Sequence, residues 1–133
     1  MLHDKNMKIL VIDNDINING LIKSVLSMDK SFEVDFALSG KEGLKKLKAD
    51  KYDLALVDLT MPEVSGFDIC QFMSADADLM DVPVIIVSAM PINDKNFQAE
   101  HGNFQDLPVV KGLIEKPFDV HDLLNKIRDL GKK

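Results

Sequence analysis

Short apolar runs recur along the chain, and four of them end at or just before a polar residue. Asp13 follows KILVI, Asp58 follows LALV, Ser88 follows VPVIIV and Lys116 follows GLIE. A short continuous apolar run reads as a strand buried on both faces. Lys8 to Ile12 is therefore expected as the first strand, Asp53 to Val57 as the third and Val82 to Val87 as the fourth. Pro83 is tolerable so close to a strand start. The fifth strand lies within Pro108 to Ile114, and the alternating FEVDFA from Phe32 to Ala37 reads as the second.

Helical spacing fills the gaps between these runs. Ile18, Leu21, Ile22, Val25 and Leu26 predict a helix over Ile16 to Met28. Ser39 opens a second helix, and Glu42 three residues on completes a capping box. This helix turns Leu44 and Leu47 inward and Lys45, Lys46 and Lys48 outward. Met61-Pro62 starts a loop that runs to Gly66. Phe67, Cys70, Phe72 and Met73 predict a third helix beyond it. Asp119 caps a last helix through Leu123, Leu124, Ile127 and Leu130, with Gly131 placed to end it. From Pro91 to Asp106 the pattern supports either a short helix over about Asn93 to His101 or a long loop.

Strands alternating with helices predict a parallel sheet covered on both faces, with right-handed connections. Five such units match a flavodoxin-like (βα)5 order of 2-1-3-4-5. That order sets strands one, three, four and five side by side. Ligands in such sheets bind beyond the carboxyl ends of the strands. Two acids, a hydroxyl and an amine at four such ends predict one shared site for a cation and an anionic group.

Composition narrows the reading. The 133 residues fit one domain, with a core of about residues 7–131, and carry a net charge of −6. The acidic balance argues against direct nucleic-acid binding, which favours a basic face. The lone Cys70 excludes an internal disulfide and fits a reducing, cytoplasmic setting. No apolar stretch approaches the roughly 20 residues of a membrane span, and the N-terminus MLHDKNMK has no signal-peptide core. His3, His101 and His121 share no spacing with the acids and read as surface residues. Cys70 reads as core.

The four strand-end residues can work together on phosphate. Carboxylates form aspartyl-phosphate intermediates. Oxygen ligands suit Mg²⁺, which keeps waters and binds phosphates. Phosphoryl transfer rests largely on positioning and charge neutralisation. Lys116 supplies a positive charge and Ser88 a hydroxyl.

ILVIDND, YDLALVDLTMPEVSGFD, PVIIVSAM and IEKPF together resemble the receiver domain of response regulators in two-component signalling. The resemblance covers essentially the whole chain. It implies that Asp58 accepts a phosphoryl group from a histidine kinase or histidine phosphotransfer protein. It implies Mg²⁺ (or Mn²⁺) held by Asp13, Asn14, Asp58 and the Thr60 carbonyl. Ser88 matches the switch hydroxyl, Lys116 the phosphoryl-contacting lysine and Ala89 the small residue that leaves room for the group. Pro117 matches a proline whose preceding peptide is typically cis, and Gly66 closes the loop after Asp58. The output would be a contact with a downstream protein, a homodimer or an output domain outside this chain. The domain would not be a turnover enzyme, although transfer and hydrolysis occur in its own site.

Three departures stand against the family pattern. Asn14 replaces the second acid of a metal-binding pair, and the neighbouring Asp15 reads as a helix cap. Leu113 stands where receivers usually place Tyr or Phe. The interval from Ser88 to Lys116 is several residues longer than usual. These departures leave open a receiver-like interaction module with weak or absent phosphorylation. Asp13-Asn14-Asp15 also has the Asp-x-Asp form of a haloacid-dehalogenase-like phosphatase using Asp13, a remote alternative that leaves the Asp58 segment unexplained. Phe118 is expected to pack beneath the end of strand five.

Overall fold

A computed structural model describes residues 7–89 and 106–131. Among them run β1 (Met7–Ile12), α1 (Ile16–Leu26), β2 (Phe32–Ala37), α2 (Gly40–Ala49) and β3 (Leu54–Asp58). These are followed by α3 (Gly66–Ala75), β4 (Val84–Ser88), β5 (Val110–Glu115) and α4 (Val120–Gly131). The choice between a short helix and a loop around Asn93 to His101 lies outside the described residues, as do His3 and His101.

All pairings are parallel, in the order β2-β1-β3-β4-β5. This is the doubly wound order expected from the apolar runs. Side chains alternate between the two faces of the sheet, so a strand covered on both faces must be apolar throughout. In β1, Leu10 and Ile12 enter one core with Leu47, Val57, Ile69 and Met73. Ile9 and Val11 enter the other with Ile22, Leu26, Leu123 and Ile127. Helices α2 and α3 therefore cover one face, and α1 and α4 cover the other. Cys70 is fully buried in the first core. Phe118 packs against the second, as the sequence predicts.

Local chemistry sets the helix starts. Asp15 caps α1 by accepting from Asn17 N at 2.9 Å and Ile18 N at 3.4 Å. Ser39 accepts from Glu42 N, but the Glu42 carboxylate reaches Leu38 N instead of completing the reciprocal bond to Ser39. A complete capping box stands at α3, where Ser65 and Asp68 exchange both bonds. Asp119 accepts from His121 N at 2.7 Å at the start of α4.

Several details depart from the sequence pattern. Helix α1 stops at Leu26, where tight turns take over and leave Met28 exposed. Strand β4 starts at Val84, because Pro83 lacks an N–H and only its carbonyl joins the ladder, to Ala55 N. Lys46 does not point freely outward: it lies half-buried and donates to Phe36 O at 2.8 Å. Strand β2 does not alternate cleanly, and Asp35 is half-buried under the Tyr52 hydroxyl, which donates to it at 2.8 Å. An irregularity in the β4–β5 register sets Ile85 opposite Gly112 and leaves Lys111 as an extra residue.

Candidate functional site

Strand order brings the four polar residues to one edge. Asp58 and Ser88 are the last residues of β3 and β4, and Asp13 and Lys116 lie just past β1 and β5. Ladder bonds continue past the strand ends and hold the backbone there. Asp13 N donates to Ala37 O, Leu59 N to Val87 O and Lys116 N to Ser88 O, the last at 2.7 Å. Asp13, Asp58 and Ser88 are all buried.

The Lys116 ammonium joins the two acids. Its Nζ lies 3.0 Å from Asp13 Oδ2 and 3.7 Å from Asp58 Oδ2. One cation thus serves two buried carboxylates. Burial and the nearby Asp13 carboxylate push Asp58 up to about 6, against the pull of Lys116 and of the Thr60 N–H. That N–H lies 3.4 Å from Asp58 Oδ1. Among the described residues the two acids share one ammonium, which leaves room for a hard cation bound through oxygen.

The remaining predicted residues fall around this centre. Asn14, Thr60 and Ala89 are exposed at its rim, and Lys116-Pro117 is a cis peptide. Asp15 has turned away to cap α1, so it does not join Asp13 and Asp58. Among the described residues no group of three His, Cys, Asp or Glu side chains gathers around a common point. The two-carboxylate set still fits Mg²⁺, which is commonly held by one or two carboxylates, its own waters and substrate phosphates. Gly66 fits where no larger residue does: a Cβ there would lie 2.4 Å from Asp58 O and 2.7 Å from Leu59 Cα. Its N–H donates to Leu59 O, folding the loop tightly against the strand end.

The response regulator receiver domain family matches the chain over residues 9–128. The chain belongs to that family. Response regulator ArlR of Staphylococcus saprophyticus is 32% identical over 95% of the chain and 53% of its own length. The DNA-binding dual master transcriptional regulator RpaA of Synechocystis is 31% identical over 95% of the chain and 49% of its own length. The chain thus spans about half the length of these curated relatives. Among solved structures, the response regulator TrrA from Thermotoga maritima in complex with Mg(2+)-BeF superposes with a TM-score of 0.77 at 27% identity. That match covers 93% of this chain and 98% of the other.

Receiver domains are signalling domains of two-component systems, and the family assignment leaves the phosphatase reading without support. In that reading Asp15 would have to serve the site, whereas here it caps a helix. No helix among the described residues is long and apolar enough to cross a membrane.

Asn19 supports the site without standing out in the sequence. It is fully buried, and its side-chain amide donates to Asp13 O and, at 3.3 Å, to Asp15 O. The available signal was a polar residue three positions before Ile22 and seven before Leu26, on the apolar stripe of α1.

Proposed function

We propose that this receiver is a Mg²⁺-dependent phosphorylation switch with Asp58 as the phospho-acceptor. The observation that carries the reading is the shared Lys116 ammonium at two buried acids, one of them at a strand end with a raised pKa. The Asp58 carboxylate attacks the phosphorus of a donor phosphohistidine. An oxygen–phosphorus bond forms, the phosphorus–nitrogen bond breaks and the imidazole leaves. Lys116 stays close to both acids and offers its charge to the arriving phosphoryl oxygens. Ser88 offers a hydroxyl from the neighbouring strand, and the small side chain of Ala89 leaves the approach open. Asp13, Asp58, the Thr60 carbonyl and the Asn14 amide are the ligands available to Mg²⁺. Mg²⁺ (or Mn²⁺) supplies charge neutralisation for the transferring group. The TrrA complex with Mg(2+)-BeF supports a site of this chemistry on this fold.

The donor is a histidine kinase or histidine phosphotransfer protein. The output is a protein contact or a joined output domain. The net charge of −6 argues against direct nucleic-acid binding by this domain, although RpaA is named as DNA-binding. A cytoplasmic setting and a single receiver domain over residues 1–133 complete the proposal.

Intact mass spectrometry tests it. Treatment with acetyl phosphate or phosphoramidate and Mg²⁺ is expected to add a single phosphoryl group. Asp58→Asn and chelation of the metal should each remove it. A second reading, an interaction module with little phosphorylation, draws on the exposed Asn14 and on Asp15 serving as a helix cap. An unmodified wild-type mass at high Mg²⁺ would favour that module.

A further inference from the structure

We propose that Asn19 is a positioning residue of the phosphoryl-transfer site, clamping the β1–α1 loop so that the Asp13 carboxylate is fixed before a metal arrives. The proposal rests on the reading of Asp13 as a metal ligand. Asn19 sits in the first turns of α1 and is 0% exposed. Helical side chains lean toward the N-terminus, so its amide reaches back over the cap. There Nδ2 donates to the carbonyls of both Asp13 and Asp15.

Helix capping does not explain this arrangement. The N-terminal N–H groups of α1 are already served by the Asp15 carboxylate. Core packing does not explain it either. Ile22 and Leu26 continue the same stripe, and an apolar residue there would avoid burying an amide. Asn19 Oδ1 is buried without a hydrogen-bond partner. Leaving such an atom unpaired is costly, so the residue carries a cost that its neighbours do not.

The benefit falls on Asp13. Its N–H is held by Ala37 O and its carbonyl by Asn19. Its Oδ1 accepts from Asp15 N at 2.9 Å, and its Oδ2 accepts from Lys116. All four polar atoms are thus fixed, and among the described residues Asn19 is the side chain that holds the Asp13 carbonyl. With Asn14 neutral, Asp13 is the sole acid that β1 contributes, so its orientation governs how well the site receives a cation. Ligands held in place by supporting hydrogen bonds bind metals more tightly.

Asn19→Leu removes both donors and keeps the branched shape of the side chain. Asn19→Ala removes the same donors and serves if the leucine variant does not fold. Mg²⁺ and Mn²⁺ binding by calorimetry is expected to weaken about tenfold, in line with losses of supporting partners at metal sites. The Mg²⁺ concentration for half-maximal phosphorylation by acetyl phosphate should rise by a similar factor. The thermal midpoint should fall, because the Asp13 carbonyl loses its donor, but the loss of metal affinity should persist far below that midpoint, which a merely structural role would not give. Wild-type metal affinity in a folded variant would overturn the role of Asn19 alone. A lower thermal midpoint with unchanged affinity would do the same. A wild-type protein that binds neither ion would remove the Asp13 reading, and the proposal with it.

Discussion

Replacing Asp58 by Asn should stabilise the protein at neutral pH while abolishing its phosphorylation. Burial and the Asp13 carboxylate raise Asp58 from an ordinary 3.8 to about 6. A raised carboxyl pKa means that the folded state holds its proton more tightly than the unfolded chain. The cost of ionising Asp58 is therefore absent well below pH 3.8, grows between 3.8 and 6, and is complete above 6. A shift of about two units corresponds to roughly 3 kcal/mol at pH 7.5. At pH 4 the same linkage leaves only a small fraction of that cost. Lys116 keeps its 3.0 Å contact with Asp13 in the variant, so no buried charge is stranded.

Urea unfolding at both pH values, without divalent metal, measures the effect. At an m-value of about 2 kcal/mol/M, the midpoint of Asp58→Asn should lie roughly 1.5 M above wild type at pH 7.5. The two proteins should nearly coincide at pH 4. A gain of equal size at both pH values would refute the charge argument. So would a variant less stable than wild type at pH 7.5. Saturating Mg²⁺ should narrow the gap by stabilising the wild type.

Other substitutions probe the scaffold and the site separately. Gly66→Ala places a Cβ against backbone atoms of Asp58 and Leu59 and should cost about 2 kcal/mol or more in urea unfolding, with phosphorylation slowed as the loop shifts. Ser65→Ala removes half of the α3 capping box and should cost about 1 kcal/mol by the same assay, with the rate of phosphorylation unchanged. Lys116→Met should slow phosphorylation by acetyl phosphate by at least about tenfold, the loss of one charge-assisted contact of about 1.5 kcal/mol or more, measured by the time course of intact mass.

The sheet was legible because its central strands are covered on both faces. KILVI and LALV must be apolar at every position when alternate side chains enter two different cores. Helix starts were legible where one side chain caps its own turn, as Asp15 does. The strand-end chemistry could be placed because strand order alone puts Asp13, Asp58, Ser88 and Lys116 on one edge. What remained hidden depends on contacts between distant segments. Lys116 meets Asp13 across most of the chain, and no local pattern distinguishes that pairing from one with Asp58 alone. Lys46 belongs to a run of lysines that looks solvated, yet a nearby carbonyl draws it down onto Phe36. Asn19 interrupts an apolar stripe, but the carbonyls it serves come into view only when the loop is folded back over α1.

The central claim is that the acid at the end of β3 receives the phosphoryl group. Borohydride reduction of the protein after treatment with acetyl phosphate and Mg²⁺, followed by peptide mapping, locates any acyl phosphate directly, because reduction turns the modified aspartate into homoserine. The account predicts homoserine at position 58 and at no other acid. Homoserine at Asp13, or at no position after a donor treatment that phosphorylates a control receiver, would contradict it.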